Sequence, residues 1–148
     1  MKRIILLSAV LFSVTLCAFA QRPDVSMRPI ISKAVDLIEL IEDDHDMEIV
    51  RIEFDIVTNK TETYRTLYQG IDYTIVAFAD DRVSDLDVRV YEYDDNEWTL
   101  VAKDNDASDV AVVSVTPDVS STYKVVVSAY SFNQGYSAAH YGLIFFHE

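Results

Sequence analysis

The residues of this chain best suited to chemistry are five aspartates. Asp85 and Asp87 lie two apart in Ser84-Asp85-Leu86-Asp87-Val88. In an extended strand that spacing puts both carboxylates on one face and Leu86 on the other. Asp81 stands in the polar turn just before them, and Asp104 and Asp106 occupy an acidic loop further on that a β-fold can bring to the same sheet end. Carboxylate oxygens on loops suit a hard cation such as calcium, which takes about six to eight of them. Asp81, Asp85, Asp87, Asp104 and Asp106 are therefore candidate metal ligands. The competing reading is structural, with Asp85 capping the turn and Asp87 pairing with a neighbouring strand. The twelve-residue Asp-x-Asp-x-Asp-Gly loop of an EF-hand does not occur.

Aromatic residues offer a second kind of chemistry. Tyr130, Phe132 and Tyr136 flank Asn133-Gln134-Gly135, and Tyr91, Tyr93 and Trp98 lie on one hairpin. Exposed rings of this type stack on sugars or grip a protein, because they join apolar area to a polar handle; buried, they pack the sandwich ends. Tyr130, Phe132 and Tyr136 are the candidate ligand-binding set. Catalytic patterns are absent. The sequence holds no Gly-x-Ser-x-Gly elbow, no phosphate loop and no His-Glu-x-x-His, and His45, His140 and His147 are scattered. No catalytic or organic-cofactor residues are assigned.

These side chains must be positioned by strands. From Val83 to Tyr91, Leu86, Val88 and Val90 alternate with Asp87, Arg89 and Tyr91, the period of a half-buried strand. Similar runs begin at Met47 (Val50, Ile52, Phe54, Ile56), Thr61, Ile71, Trp98, Val110, Tyr123 and Ala139, with turns at Thr58-Asn59-Lys60, Asp94-Asp95-Asn96 and Pro117 to Ser121. In the first of these, the face carrying Arg51, Glu53 and Asp55 reads as the wet one. About eight such strands predict an all-β fold, an antiparallel β-sandwich of jelly-roll type. Before them the period is helical: Ile30, Ala34, Ile38 and Ile41 form a stripe, Ser26 can cap its start, and Glu42, Asp43, Asp44 and Asp46 end it near His45. This helix reads as a lid on the sandwich.

The chain opens on Met1-Lys2-Arg3, an apolar run from Ile4 to Phe19 and Ala18-Phe19-Ala20 before Gln21, the pattern of a cleavable secretory signal. The organisation is then a signal peptide at 1–20, an extension with a helix at 21–46 and a sandwich domain at 47–148. The single cysteine, Cys17, falls in the leader, so the exported chain rests on packing rather than disulfides. The 148 residues carry 12 basic and 25 acidic side chains, a net charge of −13, and removing Lys2 and Arg3 with the leader makes it −15. Such a field disfavours nucleic acid and anionic membranes as partners.

Several short motifs occur in a recognisable order: Gly70-Ile71-Asp72-Tyr73, Asp85-Leu86-Asp87, Asp104-Asn105-Asp106, Val115-Thr116-Pro117, Tyr123-Lys124-Val125-Val126-Val127 and Tyr141-Gly142-Leu143. Together, over roughly Thr61 to Phe146, they resemble the bacterial pre-peptidase C-terminal domain, a β-sandwich appended to secreted proteases and related to collagenase collagen-binding modules. The resemblance implies a non-catalytic module outside the cytoplasm, sometimes calcium-stabilised, with further ligands drawn from Asp44, Asp46 and Glu48. The function expected is thus an exported, secreted or periplasmic binding or accessory module whose partner is a protein or polysaccharide. The alternative is a small secreted hydrolase or protease inhibitor using the acidic loops.

Overall fold

A computed structural model describes residues 26–148; the leader assigned to residues 1–20 and the first residues of the extension lie outside them. The described chain begins with α1 (Arg28–Ile38), continued by one wide π-helical turn (Glu39–Asp44). Pro29 sits in its first turn, where a missing N–H costs nothing. Ser26 Oγ accepts a hydrogen bond from the Arg28 N–H at 3.2 Å. The acidic run at 42–46 ends the helix, and Asp46 adopts a left-handed φ of 52°.

Eight strands follow: β1 (Glu48–Val57), β2 (Lys60–Leu67), β3 (Tyr73–Ala79), β4 (Val83–Asp94), β5 (Glu97–Asp104), β6 (Val110–Val115), β7 (Ser121–Phe132) and β8 (Ala139–His147). The first pairs with the last, the second with the seventh, the third with the sixth and the fourth with the fifth, all antiparallel. One long hairpin bent over on itself produces this nesting. Its tip is the two-residue β4–β5 turn, where Asp95 and Asn96 have φ of 48° and 65°, the left-handed pair that a twisted hairpin favours. The nested strands split into sheets ordered β1-β8-β3-β6 and β2-β7-β4-β5, which is a jelly roll. Among the described residues no helix is long and apolar enough to cross a membrane.

The main core lies between the sheets. Leu86, Val88 and Val90 from β4 meet Val125 and Val127 from β7 and Ile75 and Leu143 from the facing sheet, all essentially inaccessible to solvent. The alternation read in β4 and β7 thus points inward as expected. Val88→Ala and Val125→Ala should each cost about 1–3 kcal/mol through lost burial and a residual cavity. Unchanged melting temperatures in both variants would refute this inward register.

A second core lies outside the first sheet. There Ile30, Ala34 and Ile41 of the helical segment cover Val76, Phe78, Ile144 and Phe146. Lys33 clamps the helix from the side, its ammonium 2.6 Å from Asp109 Oδ2 and 3.0 Å from the Ala79 carbonyl. Strand β1 corrects the reading of its faces. Phe54 packs edge-on to Phe78 under the helix side, so the Ile52–Phe54–Ile56 face looks outward. The face expected to be wet is so at Arg51 and Asp55 but turns Glu53 toward Arg65 and Thr63 of β2. The reason is position. At the sandwich edge this ion pair bridges β1 and β2.

Candidate functional site

Among the described residues the outer face of the β2-β7-β4-β5 sheet carries no helix, and it gathers Tyr64, Tyr91, Tyr93 and Trp98. Trp98 of β5 stands beside its cross-strand neighbour Tyr93, ring centroids 4.9 Å apart, and reaches Tyr64 at 5.6 Å. Tyr64 lies on β2, the opposite edge of the sheet. Their contact means that both side chains lean inward over β7 and β4, because edge strands of a four-stranded sheet stand roughly 14 Å apart. Lys124 of β7 holds this arrangement from beneath, its ammonium 4.8 Å from the centroids of both Tyr91 and Trp98, a favourable seat for a cation on aromatic faces. Tyr64 and Tyr93 remain 49% and 42% exposed. The Tyr64 hydroxyl donates to Glu62 Oε2 at 3.0 Å, and this hydrogen bond raises its pKa. The result is an aromatic platform of rings tilted 48° and 58° to one another, with Tyr64 and Tyr93 open to solvent.

Further along the same face the sheet is irregular. Leu86 opposes Ala129 but Asp85 opposes Ser131, so Tyr130 is an extra residue on β7; Ser84 is then the extra residue on β4 before Val83 meets Phe132. Such bulges re-aim side chains, and Tyr130 projects at 77% exposure. The Ser84 and Ser131 hydroxyls are hydrogen-bonded at 2.5 Å across this irregularity. Asp85, Asp87, Arg89, Asn105 and Tyr130 line a concavity of about 390 Å³. Arg89 Nη2 donates to Asp87 Oδ2 at 3.2 Å and to Asn105 Oδ1 at 2.8 Å. Asp85 has no such partner for its buried Oδ1. Desolvation, with the Asp87 charge beside it, raises the Asp85 pKa.

A raised pKa means that the folded protein disfavours ionised Asp85. The cost is felt at pH above the raised value and relieved as pH falls through it. Asp85→Asn should therefore raise the melting temperature at neutral pH, with the advantage shrinking on acidification. A variant less stable at neutral pH would show that the Asp85 charge is needed.

The structure does not bring the five candidate metal ligands together. Among the described residues, no group of three or more Asp, Glu, His or Cys side chains is placed to hold a metal ion. The physical reasons are local. Asp104 uses Oδ1 to accept from the Asp106 N–H at 2.9 Å and Oδ2 to accept from the Val112 N–H at 2.8 Å, which clips the β5–β6 loop to β6. Asp106 is exposed, as is Asp81 in the β3–β4 turn. Asp44, Asp46 and Glu48 border the helix on the opposite side of the sandwich from Asp85 and Asp87. The aromatic set separates as well: Tyr130 faces the concavity, Phe132 packs against the main core and Tyr136 lines a small hollow with Ser26, Pro29 and Arg82.

One constellation was missed from sequence. Asp80, 4% exposed, accepts hydrogen bonds from Arg82 N–H at 3.1 Å, Arg82 Nε at 2.9 Å and His140 N–H at 3.0 Å, with Arg82 Nη2 closing a second contact to its Oδ2. Arg82 Nη2 also lies 2.7 Å from His140 Nδ1. Burial works to raise the Asp80 pKa, but these hydrogen bonds and the Arg82 charge outweigh it and hold the carboxyl below the usual range. The only signal in the sequence was an acid two residues before an arginine at a strand corner; His140 lies 60 positions away. This cluster ties the β3–β4 corner to the start of β8.

No family model matches the chain, and a search of curated proteins finds no match. Among solved structures, the Yersinia pseudotuberculosis-derived mitogen is similar at 9% identity and a TM-score of 0.43, covering 67% of this chain and 85% of the mitogen. A CBM4 structure is similar at 13% identity and a TM-score of 0.39, covering 69% of this chain and 78% of that one. At these values neither likeness bears on function. What holds of the pre-peptidase resemblance is the β-sandwich; the narrower family is not among the matches.

Proposed function

We propose that this chain is an exported, non-catalytic binding module whose recognition surface is the open face of the β2-β7-β4-β5 sheet, and that its ligand is a polysaccharide. The aromatic platform carries the reading. Tyr93, Trp98 and Tyr64 present adjoining rings across the width of the sheet, where sugar rings can stack their C–H faces. On the same face Asp87, Arg89 and Asn105 are already linked by hydrogen bonds and so offer rotamer-locked donors and acceptors to sugar hydroxyls, which limits the entropy lost on binding. The non-catalytic reading is supported by the sequence, which holds no nucleophile elbow, phosphate loop or His-Glu-x-x-His pattern.

Affinity electrophoresis and calorimetry against a panel of soluble polysaccharides test the proposal. Tyr93→Ala and Trp98→Ala should weaken binding by tenfold or more, that is by about 1.4 kcal/mol or more, while melting temperature confirms that the fold survives. Equal binding by wild type and both variants, or no binding to any glycan, would overturn it.

A further inference from the structure

A second concavity adjoins the platform. It opens where β1 and β2, edge strands of different sheets, part from one another, and has a volume of about 600 Å³. Its floor is apolar, formed by the buried side chains of Leu67, Tyr73 and Phe145, and its rim carries Arg51, Tyr68 and His147. Tyr64 belongs to both places: it lines this cleft and stacks toward Trp98 on the platform.

The lining of the cleft holds Arg51, Arg65 and His147 and no carboxylate, with Glu53, Glu62 and Glu148 next to it. Arg51 and Arg65 share a single carboxylate, Glu53. Arg65 grips its Oε1 at 2.6 Å and 2.5 Å through Nε and Nη2, whereas Arg51 reaches the same oxygen only at 3.4 Å. The Arg51 side chain stays 53% exposed. The His147 ring stands edge-on to Tyr73 at 6.2 Å, with Nδ1 2.5 Å from the Glu148 carbonyl. At physiological ionic strength charges beyond about 8 Å are screened, so an incoming anion is met chiefly by the groups at the cleft, of which Arg51 is the cation with the longer tie to Glu53. A planar guanidinium beside exposed tyrosine rings matches a sugar that carries an acid group: the ring stacks and the anion takes the fork of donors.

We propose that this cleft receives the anionic substituent of a charged sugar, so that the glycan lying on the platform is an acidic one. For its polymer the inference rests on the platform reading; for its anion it rests on the cleft alone. The test uses small and polymeric probes on the folded protein. Sodium glucuronate and glucose 6-sulfate, titrated separately and followed by NMR, should shift the Arg51 and His147 signals saturably, while glucose should not; whichever anion does so identifies the substituent as carboxylate or sulfate. Polygalacturonate or dextran sulfate should bind at least tenfold tighter than neutral dextran, and Arg51→Ala should erase that advantage while keeping neutral binding. Unmoved Arg51 and His147 signals with both anions, or equal affinity for charged and neutral polymers, would overturn the inference even if dextran binds and the platform reading holds. Shifts in the cleft with glucuronate, in a protein that binds no polymer, would instead leave the cleft standing and remove the platform.

Discussion

Replacing Asp80 with alanine should cost about 3–5 kcal/mol of folding stability, because it strands two partners that the fold has already desolvated. Arg82 Nε and Nη2 both donate to this carboxylate, as do the backbone N–H groups of Arg82 and His140. The carboxylate and guanidinium are 3% and 13% exposed, so water cannot replace the lost bonds. Urea unfolding with an unchanged slope and a lower midpoint would register the loss; a change below about 1 kcal/mol would show that the corner of β3 and β4 is held by other means. The same group makes a pH prediction. Its folded pKa lies below the ordinary carboxylate value of 3.8, so its contribution is present in full above that value and disappears as pH falls through the lower, folded one. Asp80→Asn, which cannot ionise, should flatten the acid limb of the stability profile there. Parallel acid limbs for wild type and variant would contradict the assignment.

Phe78→Ala should rank beside it, at about 3–5 kcal/mol for a fully buried ring. Phe78 is inaccessible to solvent and joins the helix to the sheet. It opposes Gly142 on β8, and Phe54 on β1 opposes the same glycine from the other side. The two rings meet edge to face at 6.2 Å over a backbone that has no side chain. A Cβ built on Gly142 would lie 2.3 Å from the Phe78 ring, so Gly142→Ala should cost about 1–3 kcal/mol or more through overpacking. The two substitutions share one volume. Combined, they should cost clearly less than the sum of the singles, as expected for residues in contact. Strict additivity in a double-mutant cycle would show that the ring can leave the glycine at no cost.

Much of the scaffold could be read from residue order alone. The alternation of Leu86, Val88 and Val90 with Asp87 and Arg89, the hairpin turn at Asp94-Asp95-Asn96 and the stripe of Ile30, Ala34 and Ile41 are local patterns. Each follows from side-chain direction along a strand or helix, which needs no knowledge of the partner. Even so, β1 shows the limit of that logic: its alternation was visible, but which face was wet depended on whether Glu53 found Arg65 across an edge.

The candidate site was decided at longer range. Trp98 and Tyr64 meet because the nested hairpin places β2 and β5 in one sheet, with Lys124 and Tyr91 between them. Asp85 and Asp104 do not join in a metal cluster, because Asp104 is spent on the Asp106 and Val112 N–H groups and opposes Val88 rather than Asp85 across β4 and β5. Asp80 finds His140 only when β8 returns beside β3. Sequence thus determined the strands, the turns and the buried register of β4 and β7. Tertiary structure decided which carboxylates, cations and rings share a neighbourhood, because strand pairing sets distances between residues far apart in the chain and one bulge is enough to turn a side chain elsewhere.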